Sequence, residues 1–198
     1  MEEQIMNMPA VALRGLTILP GMIAHFDISR ERSLRAVEEA MEQDQKIYLV
    51  TQRNVDSEDP TQEDLYQMGI VADIKQVVRL QNDVVRILVD GISRAALLGF
   101  TGNEKYLEAE ICYCDSNADS LPEDLREAML LGVREAFHRY AAVVGKISKE
   151  LIRQIDQYED LEKLIDYVTN NLPVSYELKQ QVLEAEDIND RYQVIVSL

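Results

Sequence analysis

The sequence predicts an α+β fold, and three observations predict it. Short β-branched and alternating runs crowd the first 116 residues, the polar link Ser116-Asn117-Ala118-Asp119-Ser120 follows, and helical periodicity then runs to the end. The expected organisation is a β-rich domain over residues 1–116 and a helical domain over 117–198. At 198 residues and 46% hydrophobic content, the chain is long enough for one large or two small domains with a proper core.

Along the first part, Ala10 to Leu19 reads as a strand broken by Arg14-Gly15 and closed by Pro20-Gly21, and Met22 to Ile28 reads as a second strand. Ser29 is the expected N-cap of a helix whose apolar side carries Leu34, Val37, Ala40 and Met41 and which ends near Asp44. Ile47-Tyr48-Leu49-Val50 is a buried strand. The acidic stretch from Asn54 to Asp64 has no apolar period and reads as a solvated loop, with Thr61 and Asp64 spaced as a helix capping box. Gly69 to Ile74 and Val77 to Leu80 lead through Gln81-Asn82-Asp83 into Val84 to Val89, a hairpin. Ile92 to Phe100 continues extended, and Tyr106 to Ile111 alternates like a half-exposed strand.

In the second part Pro122 suits a helix's first turn, and Leu125, Met129, Val133, Phe137, Tyr140 and Val144 trace one helical stripe ending near Gly145. Shorter helices are expected at Ser148 to Gln157, Leu161 to Asn170 and Tyr176 to Ala185, with Asn171-Leu172-Pro173 as a stop, and another from Ile188. No stop signal precedes Leu198, so the helical domain is expected to be truncated there.

Charge excludes one broad class. The formal net charge is −16; residues 1–116 carry 11 Lys/Arg against 20 Asp/Glu and residues 117–198 carry 9 against 16. Nucleic acid binding depends on cations that neutralise phosphate, so no nucleic acid partner is expected. The acidic N-terminus is unlike a secretory signal and no apolar run approaches about 20 residues, so no membrane contact and a cytoplasmic location are expected. Cys112 and Cys114, on one face of a strand, are expected to stay reduced and structural.

The search for chemistry is negative. Gly145-Lys146 lacks the upstream glycine and following Ser/Thr of a phosphate loop, and His25 and His138 have no partner at zinc-ligand spacing. The cluster Asp56, Glu58, Asp59, Glu63 and Asp64 lacks the glycine and closing Glu of a calcium loop. Ser148 beside Lys149 and near Lys146 lacks the context of a Ser-Lys nucleophile. No catalytic, cofactor-binding or metal site is expected.

The run Pro9-Ala10-Val11-Ala12-Leu13-Arg14-Gly15 through Leu19-Pro20-Gly21-Met22 resembles the opening of the N-terminal domain of Lon-type ATP-dependent proteases, close to P-x-x-x-L-R-x-x-x-x-x-P-x-M. Leu19 departs from the aromatic residue common there. The resemblance continues through Arg32 to Ala36, Glu58-Asp59-Pro60-Thr61, Leu65 to Ile74, Val84 to Leu88 and Asp90 to Ala95, then Asn171-Leu172-Pro173, Leu178 to Glu184 and Asp190-Arg191-Tyr192. It implies a PUA-like β pseudo-barrel followed by a helical bundle, and a role in capturing unfolded or degron-bearing proteins and in assembling a homo-oligomer, a hexamer in the full-length protease. ATP, magnesium and Ser-Lys cleavage would belong to other domains, leaving this segment without a cofactor and non-catalytic. Met6, Met8, Leu19, Pro20, Met22 and Ile23 are the expected client-contacting patch, because flexible apolar groups suit promiscuous contact; the alternative places Met22 and Ile23 in the core. A stand-alone LON-domain binding module is the second reading, and a PUA-type RNA-binding domain the third.

Overall fold

The computed structural model describes residues 5–114 and 118–197, and the chain divides into two compact units, Met1–Cys114 and Asp115–Leu198. The expected boundary at residues 116 and 117 lies outside the described residues.

The first unit contains β1 (Ile5–Leu13), β2 (Ile23–Ile28), α1 (Glu31–Glu42), β3 (Lys46–Thr51), β4 (Met68–Arg79), β5 (Val85–Phe100) and β6 (Glu108–Tyr113). The sheet order is β2-β5-β4-β3-β1-β6, and β6 pairs back onto β5, so β1, β3, β4, β5 and β6 close into the expected pseudo-barrel. Only β1 and β3 run parallel among these pairings. The expected fold class is the observed one.

Strand periodicity divides the apolar residues between two cores. Val11, Leu13, Ile47 and Leu49 pack with Ala36, Val37 and Ala40 of α1, whereas Ala10, Ala12, Tyr48 and Val50 pack with Val71, Leu97 and Ile111. That two-sided burial is why β1 and β3 read as continuous apolar runs.

Several boundaries differ from expectation. The first strand ends at Leu13, because Gly15 turns the chain at a φ of 63°, and residues 14–22 form an irregular crossing rather than strand. Ser29 does not cap α1; the N-cap is Arg30, with no side-chain hydrogen bond. The inner face of α1 is Ser33, Ala36, Val37 and Ala40, so Met41 turns outward. The two runs before the hairpin are one strand, β4, and those after it are one strand, β5. Register shifts leave Ile92 and Leu98 as extra residues in β5, and both are exposed. The turn is where the sequence put it, with Asn82 and Asp83 both at positive φ.

β5 changes neighbours at its middle, pairing with β2 over residues 85–90 and with β6 over 95–100. Gly91 marks the change: its N–H donates to Met22 O at 3.0 Å, and its carbonyl accepts from Gly21 N–H at 2.8 Å.

The second unit contains α2 (Glu123–Val144), α3 (Lys149–Gln157), α4 (Leu161–Asn171), α5 (Tyr176–Glu184) and α6 (Ile188–Val196). Pro122 is the N-cap of α2 rather than part of its first turn, and Gly145 ends that helix in the left-handed region. Ser148, Asp160, Ser175 and Asp187 cap the other four through side-chain oxygens. The expected α2 stripe holds at its centre, where Met129, Val133 and Phe137 are buried, and fails at both ends, where Leu125 and Val144 are exposed. Buried Arg191 on α6 donates to Glu162 Oε1 of α4 at 2.5 Å and to the Ala185 and Glu186 carbonyls at 2.7 and 3.2 Å.

Candidate protein-interaction surface

The chemistry-bearing residues of the sequence have structural positions. Ser148 accepts the Leu151 N–H as a helix cap, and His138 Nε2 lies 2.8 Å from Asp156 Oδ1, tying α2 to α3. The Asp64 carboxylate accepts the Thr61 N–H at 3.0 Å, the reach-back half of the capping box, and Asp59 pairs with Arg32 at 3.3 Å. No group of three or more His, Cys, Asp or Glu at metal-binding spacing occurs among the described residues. Cys112 and Cys114 form no disulfide and are half-buried.

The expected patch does not survive as a unit. Met8 and Leu19 are core residues, 4% and 0% exposed: Met8 points into the barrel, and Leu19 lies in the crossing that packs on Gly91. Pro20 and Met22 are half-buried, Met22 against the core under α1. Met6 lies at the start of β1 beside β6, while Ile23, 67% exposed, begins β2 beside β5. Those two exposed members sit on different strand pairs.

What the structure brings together instead is the outer face of β2, β5 and β4. His25, Leu88 and Gln76 lie in one cross-strand row, and Asp27, Arg86 and Val78 in the next. All but Asp27 line a shallow cavity of about 260 Å³. The Arg86 guanidinium grips Asp27 through two hydrogen bonds of 2.7 and 2.9 Å, which hold the Asp27 carboxyl below its usual range. Asp73 is shared by Lys46 and Lys75 at 2.9 and 3.1 Å and is likewise held low, chiefly by Lys46. Acids on this face are thus matched by cations, in a chain whose overall balance is strongly acidic. Val77, Val78 and Leu80 leave exposed apolar surface towards the hairpin tip.

Beyond β2 the sheet stops. Among the described residues β2 pairs only with β5, while every other strand has at least two neighbours, so one edge of β2 presents unpaired backbone donors and acceptors. Sequence reasoning missed this surface because it depends on register: the Asp27 and Arg86 pair is invisible until β2 and β5 are aligned. The alternation in residues 23–28 was the available signal.

A second apolar surface lies within the helical unit, where Phe137, Tyr140, Val143, Val168 and Ile195 line a groove of about 410 Å³ and Val143 is 87% exposed. No helix among the described residues is long and apolar enough to cross a membrane.

Residues 7–198 match the family described as the ATP-dependent protease La (LON) substrate-binding domain. The chain is 36% identical over 193 residues to a Lon protease of Lachnoclostridium phytofermentans, covering 98% of this chain and 24% of that protein. It is 35% identical over 195 residues to a Lon protease of Clostridioides difficile, covering 97% and 25%. The chain therefore spans about a quarter of the length of these relatives. Among solved structures, the N-terminal domain of Mycobacterium avium complex Lon protease is similar with a TM-score of 0.79 at 18% identity, over 97% of both chains. A Lon N-terminal domain protein from Xanthomonas campestris is similar with a TM-score of 0.66 at 12% identity, over 97% of this chain and 98% of that one. At such identities these two likenesses speak to the fold alone, but the family match covers nearly the whole chain, which belongs to the Lon substrate-binding domain family.

Proposed function

We propose that this chain holds unfolded or degron-bearing proteins for an ATP-dependent Lon-type protease in the cytoplasm and contributes to assembly of its oligomer. ATP hydrolysis and peptide cleavage belong to other domains, and these residues catalyse nothing themselves. The observation that carries the reading is the open edge of β2 beside the charge-balanced face that includes Ile23, Val78 and Leu88. An extended polypeptide can add to such an edge through main-chain hydrogen bonds, which gives affinity for many sequences, while nearby apolar groups favour chains whose hydrophobic residues are exposed. Assembly has a separate candidate in the apolar groove around Val143.

The test is a titration of the chain with an unfolded model protein and with its folded form, at low and high salt. Preferential binding of the unfolded form that changes little with salt supports the proposal. Ile23→Pro, which removes a backbone donor at the start of the edge strand, combined with Val78→Ser, should weaken that binding several-fold while circular dichroism stays unchanged. Equal binding by this variant would remove β2 from the site.

A further inference from the structure

A different cavity, of about 210 Å³, lies where β1 and β2 meet the start of α1, and it is lined by Arg14, Ser29, Arg30 and Ser33 together with Leu16 and Phe26. Two cations side by side are unusual in a chain of net charge −16. We propose that this cavity binds the C-terminal carboxylate of a polypeptide client, with the last side chain resting on Leu16 and Phe26. The proposal deepens the client-holding reading and rests on it.

Four observations support the assignment. First, the Arg14 and Arg30 guanidinia are only partly engaged. Arg14 Nη2 donates to Ser57 O at 2.9 Å, and Arg30 Nη2 donates to Gln52 Oε1 at 2.9 Å and to Ser57 O at 3.3 Å. Nε and Nη1 of both arginines keep their donors for another acceptor among the described residues, and planar guanidinia suit carboxylate oxygens. Second, Ser33 is buried to 5% exposure on the inner face of the first turn of α1, and its hydroxyl lines the cavity with no hydrogen bond among the described residues. A hydroxyl in that position can donate to an acceptor that enters the cavity. Third, α1 begins without a side-chain cap, so its first N–H groups face the same end, where a negative charge is favourable. Fourth, burial and the neighbouring Arg14 charge both push the Arg30 guanidinium below its ordinary range, which Asp59 and Glu58 only partly oppose. An anion would relieve that repulsion.

The cavity's own acid does not compete, because the Asp27 carboxylate is gripped by Arg86. The volume is below the roughly 300 Å³ at which sites for larger small molecules begin, which suits a single terminal residue. The nearby carboxylates of Glu58 and Asp59 disfavour a polyanion and tolerate one carboxylate.

The test uses short fluorescent peptides ending in Leu as the free acid, the same peptides amidated, and amidated peptides ending in Glu, titrated by anisotropy against the intact chain. An unfolded protein is titrated in parallel. The free acid should bind roughly tenfold tighter than the amide, from charge-assisted bonds made only to the carboxylate. Arg14→Gln, at an exposed position, should erase that difference with the thermal midpoint unchanged, and Arg30→Lys should reduce it. Equal binding of acid and amide would overturn the assignment, as would a preference that survives Arg14→Gln. Binding of the Glu-ended amide as tightly as the free acid would hand the site to acidic side chains and also refute it. If unfolded protein binds while acid and amide do not differ, the carboxylate site fails and the client-holding reading stands; if neither peptides nor unfolded protein bind, both fail.

Discussion

Adding one methyl group at Gly91 should do more damage to the β unit than its size suggests. A Cβ built there would lie 2.4 Å from Leu19 O, 3.0 Å from Ile70 Cδ1 and 3.1 Å from Ile18 Cγ2. The first of these neighbours is backbone and cannot rotate away. Leu19 O also accepts the Met22 N–H at 3.1 Å, and Gly91 itself exchanges hydrogen bonds with Gly21 and Met22, so retreat of the crossing strains three bonds. Overpacking of this kind costs about 1–3 kcal/mol. Partial weakening of those three hydrogen bonds adds about 2 kcal/mol. The lost freedom of the unfolded chain returns about 0.5–1 kcal/mol. Gly91→Ala should therefore destabilise by roughly 2–4 kcal/mol, lowering the midpoint of the β unit by on the order of 10–20 °C. Urea and thermal unfolding followed by circular dichroism and tyrosine fluorescence measure it, since the chain has nine Tyr and no Trp. Gly99→Ala is the control: its Cβ would meet only Gln62 Oε1 at 3.8 Å, so it should be near neutral. If the two variants unfold alike, the close approach of residues 18–22 to β5 is not the constraint described.

Two further outcomes are expected. Arg191→Ala should cost the helical unit about 3–5 kcal/mol, because Glu162 loses its cation, and Arg191→Met should cost less; hydrogen exchange over residues 161–196 separates the two. The carboxyl of Asp73 is held below its ordinary value, so its contribution to stability is complete above the unfolded value of about 4 and is lost as pH falls through the lower, folded one. Asp73→Asn should flatten the acid limb of stability against pH; an unchanged limb would mean that the Lys46 contact contributes nothing.

Much of the fold was legible because it is written in local patterns. The hairpin at Asn82-Asp83, the buried run at Ile47–Val50, the Gly145 stop and the helix start at Ser148 follow from turn chemistry, β-branching and helix-end preferences that act within a few residues. Where tertiary contact decides, the reading failed. Ile5–Asn7 were not assigned to a strand although Ile5, Met6 and Asn7 pair with Cys112, Ile111 and Glu110, a partner far along the chain. Met8 and Leu19 were assigned to the surface by their proximity to a turn, but Met8 falls on the barrel-facing side of β1 and Leu19 is trapped against Gly91. Arg14 and Arg30 held no interest as isolated cations; only the fold sets them both on Ser57 O.

The change of partner along β5 has a consequence for how the protein reaches its structure. The barrel closes only when β6 meets both β1, where Ile5 pairs with Cys112, and the second half of β5. A chain emerging from the ribosome therefore cannot complete this unit until residues up to about Tyr113 are available, and the loop entropy of that closure slows the search. The helices that follow make their backbone hydrogen bonds locally, and it is the docking of α2 on α4 and α6 that requires encounters between distant residues. Synthesised in one pass, the first half waits on its own last strand, and the unpaired edges of β1 and β5 stay exposed during that interval.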